Sequence, residues 1–181
     1  MLSVIVNEIV DLENLPKDTD LFIVIGEKFN RQIILPTKTK ELKIGSSYNK
    51  KLVFPSGMTH LRLGVLYNYK LELPDSLLYL KIGSGYSHLL DNLPSGLTHL
   101  VLPDRWKLPL LNLPETLTYL ELGANCSVSL DNLPNNLKYL NIGKYFNRKI
   151  TNLPSSLKLI EHTGYLDIDK IPFGCKLKRN R

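Results

Sequence analysis

Apolar residues recur along the chain at fixed distances from a proline. Prolines stand at Pro16, Pro36, Pro55, Pro74, Pro94, Pro114, Pro134 and Pro154, in steps of 19 or 20 residues, and all but Pro55 follow a leucine. Counting from each proline, position 6 is Leu42, Leu61, Leu80, Leu100, Leu120, Leu140 and Ile160. Position 8 is Ile44, Leu63, Ile82, Leu102, Leu122 and Ile142, and position 3 is Met58, Leu77, Leu97, Leu117, Leu137 and Leu157. Position 12 is Tyr48, Tyr67, Tyr86, Trp106, Cys126 and Phe146, and position 9 is glycine at Gly45, Gly64, Gly83, Gly123 and Gly143. After Pro16 one residue is added, so Ile23, Ile25, Gly26 and Phe29 fill these roles. Such self-similarity is the mark of a repeat architecture.

The spacing predicts the local structure. Positions 6 and 8 point to one face of a short strand, and positions 5 and 7 to the other. Glycine at position 9 is expected to end the strand with a backbone angle that a Cβ resists. The aromatic at position 12 and the leucine before each proline turn inward again. One coil cannot bury these side chains alone, whereas stacked coils can. Twenty residues leave no room for a long return helix, and a proline in each coil favours extended or 3₁₀ segments there. The prediction is a mainly β repeat solenoid, a leucine-rich-repeat-like right-handed coil with one parallel β-sheet of short strands. Residues 1–164 form about eight coils, residues 165–175 a C-terminal cap, and residues 176–181 a basic disordered tail. Asn14, Asn92, Asn112, Asn132 and Asn152, two residues before their prolines, are expected to satisfy backbone groups in the turns.

Phe146-Asn147, Ile150, Leu153-Pro154, Leu157 and Ile160, with Phe29-Asn30 and Leu35-Pro36 upstream, resemble the FNIP repeat. That family is related to leucine-rich repeats and is abundant in social amoebae and in the giant viruses that infect amoebae. The resemblance covers roughly residues 12–164. It implies a solenoid that docks other proteins. In the family an F-box often precedes the repeats, but only about fifteen residues stand before the first Leu-Pro, so recruitment to a ubiquitin-ligase adaptor is not supported.

Charge and composition change this picture little. The net charge is +6, and Lys176, Lys178, Arg179 and Arg181 account for four of those charges, leaving +2 for residues 1–175. The basicity thus sits at the C-terminus, and nucleic acid is not the expected partner. The opening segment lacks a positive stretch and is interrupted by Glu8, Asp11 and Glu13, unlike a secretory signal. No apolar run reaches the roughly twenty residues of a membrane helix. Cys126 and Cys175 are far apart and in no metal-like spacing, which suggests free thiols in a reducing, cytoplasmic setting (host cytoplasm if viral).

No catalytic or metal constellation emerges. His60 and His99 lie two coils apart, so roughly 10 Å should separate their rings. Zinc ligands sit about 2 Å from the metal, which excludes a shared ion. Ser87, His88 and Asp91 invite comparison with a catalytic triad but occupy a turn with no oxyanion donors in view. Gly83-Ser84-Gly85 leads to no helix, so it fails as a phosphate loop. The reading is of a protein that is not an enzyme and needs no cofactor or metal.

What remains is the outer strand face. Position 5 reads Glu41, His60, Tyr79, His99, Tyr119, Tyr139 and Leu159. Position 7 reads Lys43, Arg62, Lys81, Val101, Glu121, Asn141 and Glu161. The candidate binding face is therefore His60, Tyr79, His99, Tyr119 and Tyr139, flanked by Lys43, Arg62, Lys81, Glu121 and Glu161. Large amphipathic rings outside a core are the residue type in which interfaces concentrate their energy. The expected function is protein–protein binding, with a structural, self-associating role as the alternative. The apolar segment Leu2 to Val6 could leave an open sheet edge, so a monomer or a weak homodimer paired there is expected.

Overall fold

The computed structural model describes residues 1–8, 12 and 14–180. Asp11, Glu13 and Arg181, which enter the readings of the opening segment and the tail, lie outside the described residues. The chain divides into two compact units, Met1–His88 and Leu89–Arg181. The first holds β1 (Leu2–Val6), β2 (Leu21–Ile25), β3 (Thr39–Lys43), β4 (His60–Arg62) and β5 (Tyr79–Lys81). They pair in chain order, all in parallel. The second holds β6 (His99–Leu102), β7 (Tyr119–Leu122), β8 (Tyr139–Ile142), β9 (Leu159–His162) and β10 (Lys176–Arg179). These too pair in parallel and in chain order. Among the described residues there is no α-helix. Each unit is a length of parallel β-solenoid.

Register follows the proline count. Leu42 pairs with Leu61 and Leu61 with Leu80 in the first unit, and Leu100, Leu120, Leu140 and Ile160 pair in series in the second. All of these are buried, as are the residues of positions 3, 8 and 12. The extra residue after Pro16 behaves as the count requires, because Ile23 pairs with Leu42 and Phe29 stacks on Tyr48 with ring centroids 6.2 Å apart.

Two kinds of turn close the coils. The proline carbonyl accepts a hydrogen bond from the N–H of position 3, as from Leu77 to Pro74 and from Leu117 to Pro114, both at 3.0 Å. The position 9 carbonyl accepts from position 12, as from Tyr48 to Gly45 at 3.2 Å and from Tyr86 to Gly83 at 3.1 Å. The return side is therefore extended chain between single i-to-i+3 turns rather than 3₁₀ segments. The Leu-Pro-x-x-Leu signature is one of these turns; its second leucine is buried, while the leucine before the proline, expected to turn inward, is half-buried in most coils.

The position 9 glycines are needed for a different reason from the one expected. Their φ is not positive; the described positive-φ residues are Arg105, Asn112, Asn125 and Gly174. Arg105 and Asn125 stand at position 11, inside the turn. At position 9 the constraint is close approach: a Cβ on Gly64 would overlap the Gly45 carbonyl, and one on Gly83 the Gly64 carbonyl. The coils stack glycine backbone on glycine backbone.

The expected asparagine ladder also lies elsewhere. Asn92, Asn112, Asn132 and Asn152 are exposed, and Asn152 makes a 3.4 Å bond to the Asp131 carbonyl. Inter-coil bonds concentrate at position 13, where Asn30 Oδ1 accepts from the Asn49 N–H and Asn68 Oδ1 from the Ser87 N–H, each at 2.9 Å. Hydroxyls at position 2 add a second ladder, with Ser76 donating to the Met58 carbonyl at 2.6 Å and Ser156 to the Leu137 carbonyl at 2.6 Å.

The C-terminus departs from expectation. Residues 176–179, expected in a disordered tail, form β10 and extend the ladder beyond residue 164. An unpaired strand edge offers a row of N–H and C=O groups, and β10 takes it up along β9, with Lys178 Nζ 2.7 Å from Glu161. The cap segment joins the last coil through the Ile150–Ile168 bridge and the Lys149–Asp169 ion pair at 2.8 Å. Of its apolar side chains, Leu166 and Ile168 are half-buried, while Tyr165 and Phe173 are exposed.

Candidate interaction face

In the first unit the register aligns Glu41 with His60 and His60 with Tyr79, and, two residues on, Lys43 with Arg62 and Arg62 with Lys81. Strand alternation turns these side chains away from the buried Leu42, Leu61 and Leu80. The His60 ring stacks on Tyr79 with centroids 5.7 Å apart and planes 21° apart, and the Arg62 guanidinium lies 4.9 Å from the same Tyr79 centroid. The Thr59 hydroxyl donates to the Lys40 carbonyl at 3.2 Å and lies 2.9 Å from His60 Nδ1. Among the described residues, Lys43, Arg62 and Lys81 form no ion pair with an acid.

The second unit repeats the device. His99 stacks on Tyr119 with centroids 5.4 Å apart and planes 23° apart, and Thr98 Oγ1 lies 2.9 Å from His99 Nδ1. Tyr119 aligns with Tyr139, which is 44% exposed. Tyr119 donates to Glu121 at 2.8 Å, and its pKa is pushed up to about 12 by partial burial and then by that bond. Glu161 carries the Lys178 ion pair, which holds its carboxyl below the usual range. Val101 shares the outward register but is buried.

Within each unit the candidate residues thus align as the count predicts. Thr59 and Thr98, which fix the histidine rings, and Lys178, which meets Glu161, were not anticipated. Lys-Leu-Lys in β10 repeats the alternation of Glu-Leu-Lys in β3, and that was the available signal.

Other surfaces are occupied by their own contacts. Ser87 Oγ bonds Asn68 and His88 Nε2 lies 3.1 Å from the Asn68 carbonyl, so the triad geometry is absent. A return-side cleft of about 630 Å³ is lined by Ser127, Ser129, Asp131, Asn147, Arg148 and Lys149. There Ser129 bonds Asp131 at 2.5 Å and Arg148 bonds the Ser127 carbonyl at 2.7 Å. Among the described residues no group of three or more His, Cys, Asp or Glu could hold a metal ion, and no helix is long and apolar enough to cross a membrane. Both cysteines are free, and burial pushes the Cys126 thiol up.

The comparisons agree with this geometry. Residues 48–85 and 128–161 match the model of the FNIP repeat. The crystal structure of CroV588, a giant-virus protein described as a novel circular LRR structure, is similar with a TM-score of 0.71 and 30% identity. The match covers 96% of this chain and 32% of CroV588, so this chain spans about a third of that protein's length. No curated protein matches. Residues 48–85 and 128–161 are thus similar to FNIP repeats, and each unit has a fold of the leucine-rich-repeat kind.

Proposed function

We propose that this chain is a non-catalytic interaction module that binds a partner protein through the outer face of its strands. Repeat solenoids of this kind typically serve as interaction surfaces. One observation carries the choice of face. The stacked pairs His60–Tyr79 and His99–Tyr119 stand in register outside a core that is already closed by the leucine and isoleucine columns. Rings that the interior does not use supply contact area at low conformational cost, because they hold one another in place. The Thr59 and Thr98 contacts restrict the imidazoles further. The free thiols of Cys126 and Cys175 support a reducing compartment as the setting.

The test is a double change of Tyr79 and Tyr119 to alanine. Partner capture from the native cell, read by quantitative mass spectrometry, should fall by about tenfold or more, while circular dichroism stays that of the wild type. Retained capture, together with its loss on changing Ser87 and His88, would move the site to the turn side.

A further inference from the structure

We propose that the strand face of the first unit binds an acidic, extended peptide segment, its carboxylates lying along the row Lys43, Arg62 and Lys81. This rests on the reading of the strand face as the binding surface and names the partner's chemistry for one part of it. Residues paired in register across parallel strands stand about 4.8 Å apart, so the three cations span roughly 10 Å in a straight line. Like charges facing one another on neighbouring strands oppose folding. Elsewhere this protein matches cations to acids: Lys51 to Glu72, Lys149 to Asp169 and Lys178 to Glu161. The row forms no such ion pair among the described residues, and Lys43 acts only at a distance on the Glu27 carboxylate. Lys43 and Lys81 are exposed and Arg62 is half-exposed. A ligand that brings negative charge would relieve the repulsion that the fold tolerates here.

The neighbouring column argues for a peptide over a nucleic acid. His60 and Tyr79 stack on each other across β4 and β5, and Arg62 covers part of the same Tyr79 face. Their stacking faces are thus turned along the ladder. A base seeking a platform needs an open ring face, whereas a peptide can use the outward edges, where Tyr79 ends in a hydroxyl and His60 in Nε2. An extended peptide laid along the row presents same-side carboxylates about every 7 Å, a spacing that flexible lysine and arginine arms can meet. Arg62, held over Tyr79, would supply the most fixed of the three charges.

The experiment uses the full chain and three labelled peptides of alternating Glu-Ser, Gln-Ser and Lys-Ser, with a single-stranded oligothymidine as the fourth probe, read by fluorescence anisotropy. The Glu-Ser peptide should bind and the other two peptides should not. Binding should weaken severalfold as salt rises from about 50 to about 200 mM, since exposed charges are screened over about a Debye length. Changing Lys43, Arg62 and Lys81 together to glutamine should cost about tenfold or more in affinity. The same change at the exposed Lys28, Lys107 and Lys170, which preserves the net-charge loss, should leave affinity within about twofold of wild type if the row is the site. Equal losses from both triple variants would show attraction to net charge alone and overturn the proposal. Tighter binding of oligothymidine, with the same dependence on the row, would replace the peptide by a nucleic acid. If the Glu-Ser peptide fails to bind while partner capture still depends on Tyr79 and Tyr119, the acidic ligand is wrong and the binding face stands. If capture is indifferent to those tyrosines, the face itself is wrong.

Discussion

The phenol of Tyr119 donates a 2.8 Å hydrogen bond to the Glu121 carboxylate, two residues along β7, and so ties the two outward columns together on one strand. Between them Leu120 is fully buried. Three consecutive residues thus separate the work of the face from the work of the core.

That separation predicts opposite results at adjacent positions. Leu120→Ala removes a side chain enclosed by its neighbours on both sides, Leu100 and Leu140, and should cost about 2–5 kcal/mol. Tyr119→Phe loses one partly exposed hydrogen bond, typically about 0.5–1.5 kcal/mol. Denaturant unfolding of the two variants checks the order. A larger loss for Tyr119→Phe than for Leu120→Ala would invert the assignment of inside and outside.

The glycine stack makes a sharper test. Gly64→Ala places a methyl against the Gly45 carbonyl, so the coils must separate locally, and the variant should melt well below the wild type. Gly174→Ala meets no neighbour within 4 Å but has φ +77°, so its cost should be only about 1 kcal/mol, from backbone strain. Thermal melting that ranks Gly174→Ala as the more damaging would contradict close approach as the reason for the glycine column.

Alkaline pH should unfold this protein through its buried phenols. Tyr48 and Tyr67 are pushed up to about 12, chiefly by desolvation, from an ordinary value of 10.0. The folded state therefore holds these protons where the unfolded chain releases them, so their contribution is fully present below pH 10 and is lost as pH rises toward 12. Denaturant midpoints should fall across that interval. The double variant Tyr48→Phe, Tyr67→Phe should show a shallower fall, and an identical fall would place the titration elsewhere.

The last strand should act as an edge cover. A chain ending at Cys175 loses β10 and its Lys178–Glu161 pair, and it bares the outer edge of β9. Because all four β10 residues are exposed, the shortened protein should keep a cooperative transition. Its apparent mass by light scattering should rise with concentration more than that of the full chain. Equal scattering at every concentration would show that β10 protects nothing.

Most of the coil was legible because its period is set by covalent geometry. Residues 6 and 8 after a proline must share one strand face, and so must residues 5 and 7, whatever surrounds them. Hence the buried columns, the outward register of His60, Tyr79, His99, Tyr119 and Tyr139, and the inward turn of Phe29 and Tyr48 all follow from counting. The count also placed Val101 on the outer face, but not its burial, which depends on the bulk of its neighbours.

What eluded the count depends on contacts between coils. A glycine can serve a positive φ or a close approach, and the two leave the same letter in the sequence; only the nearness of the Gly45 carbonyl to Gly64 decides between them. An asparagine can cap its own turn or reach the next coil, and the strand register selected Asn30 and Asn68 for the second role. Lys176–Arg179 looked like a solvated tail because its pattern is too short to declare a strand. The paired residues of β9, Glu161 with its carboxylate among them, lie seventeen residues back in the chain, and pairing with them turned that segment into structure. The period, the sheet and its two faces follow from the order of residues, since local stereochemistry and apolar spacing suffice for these. The glycine contacts, the hydrogen-bond ladders and the fate of the C-terminus arise only on folding, because each is a meeting between coils whose strength depends on distances that no single repeat contains.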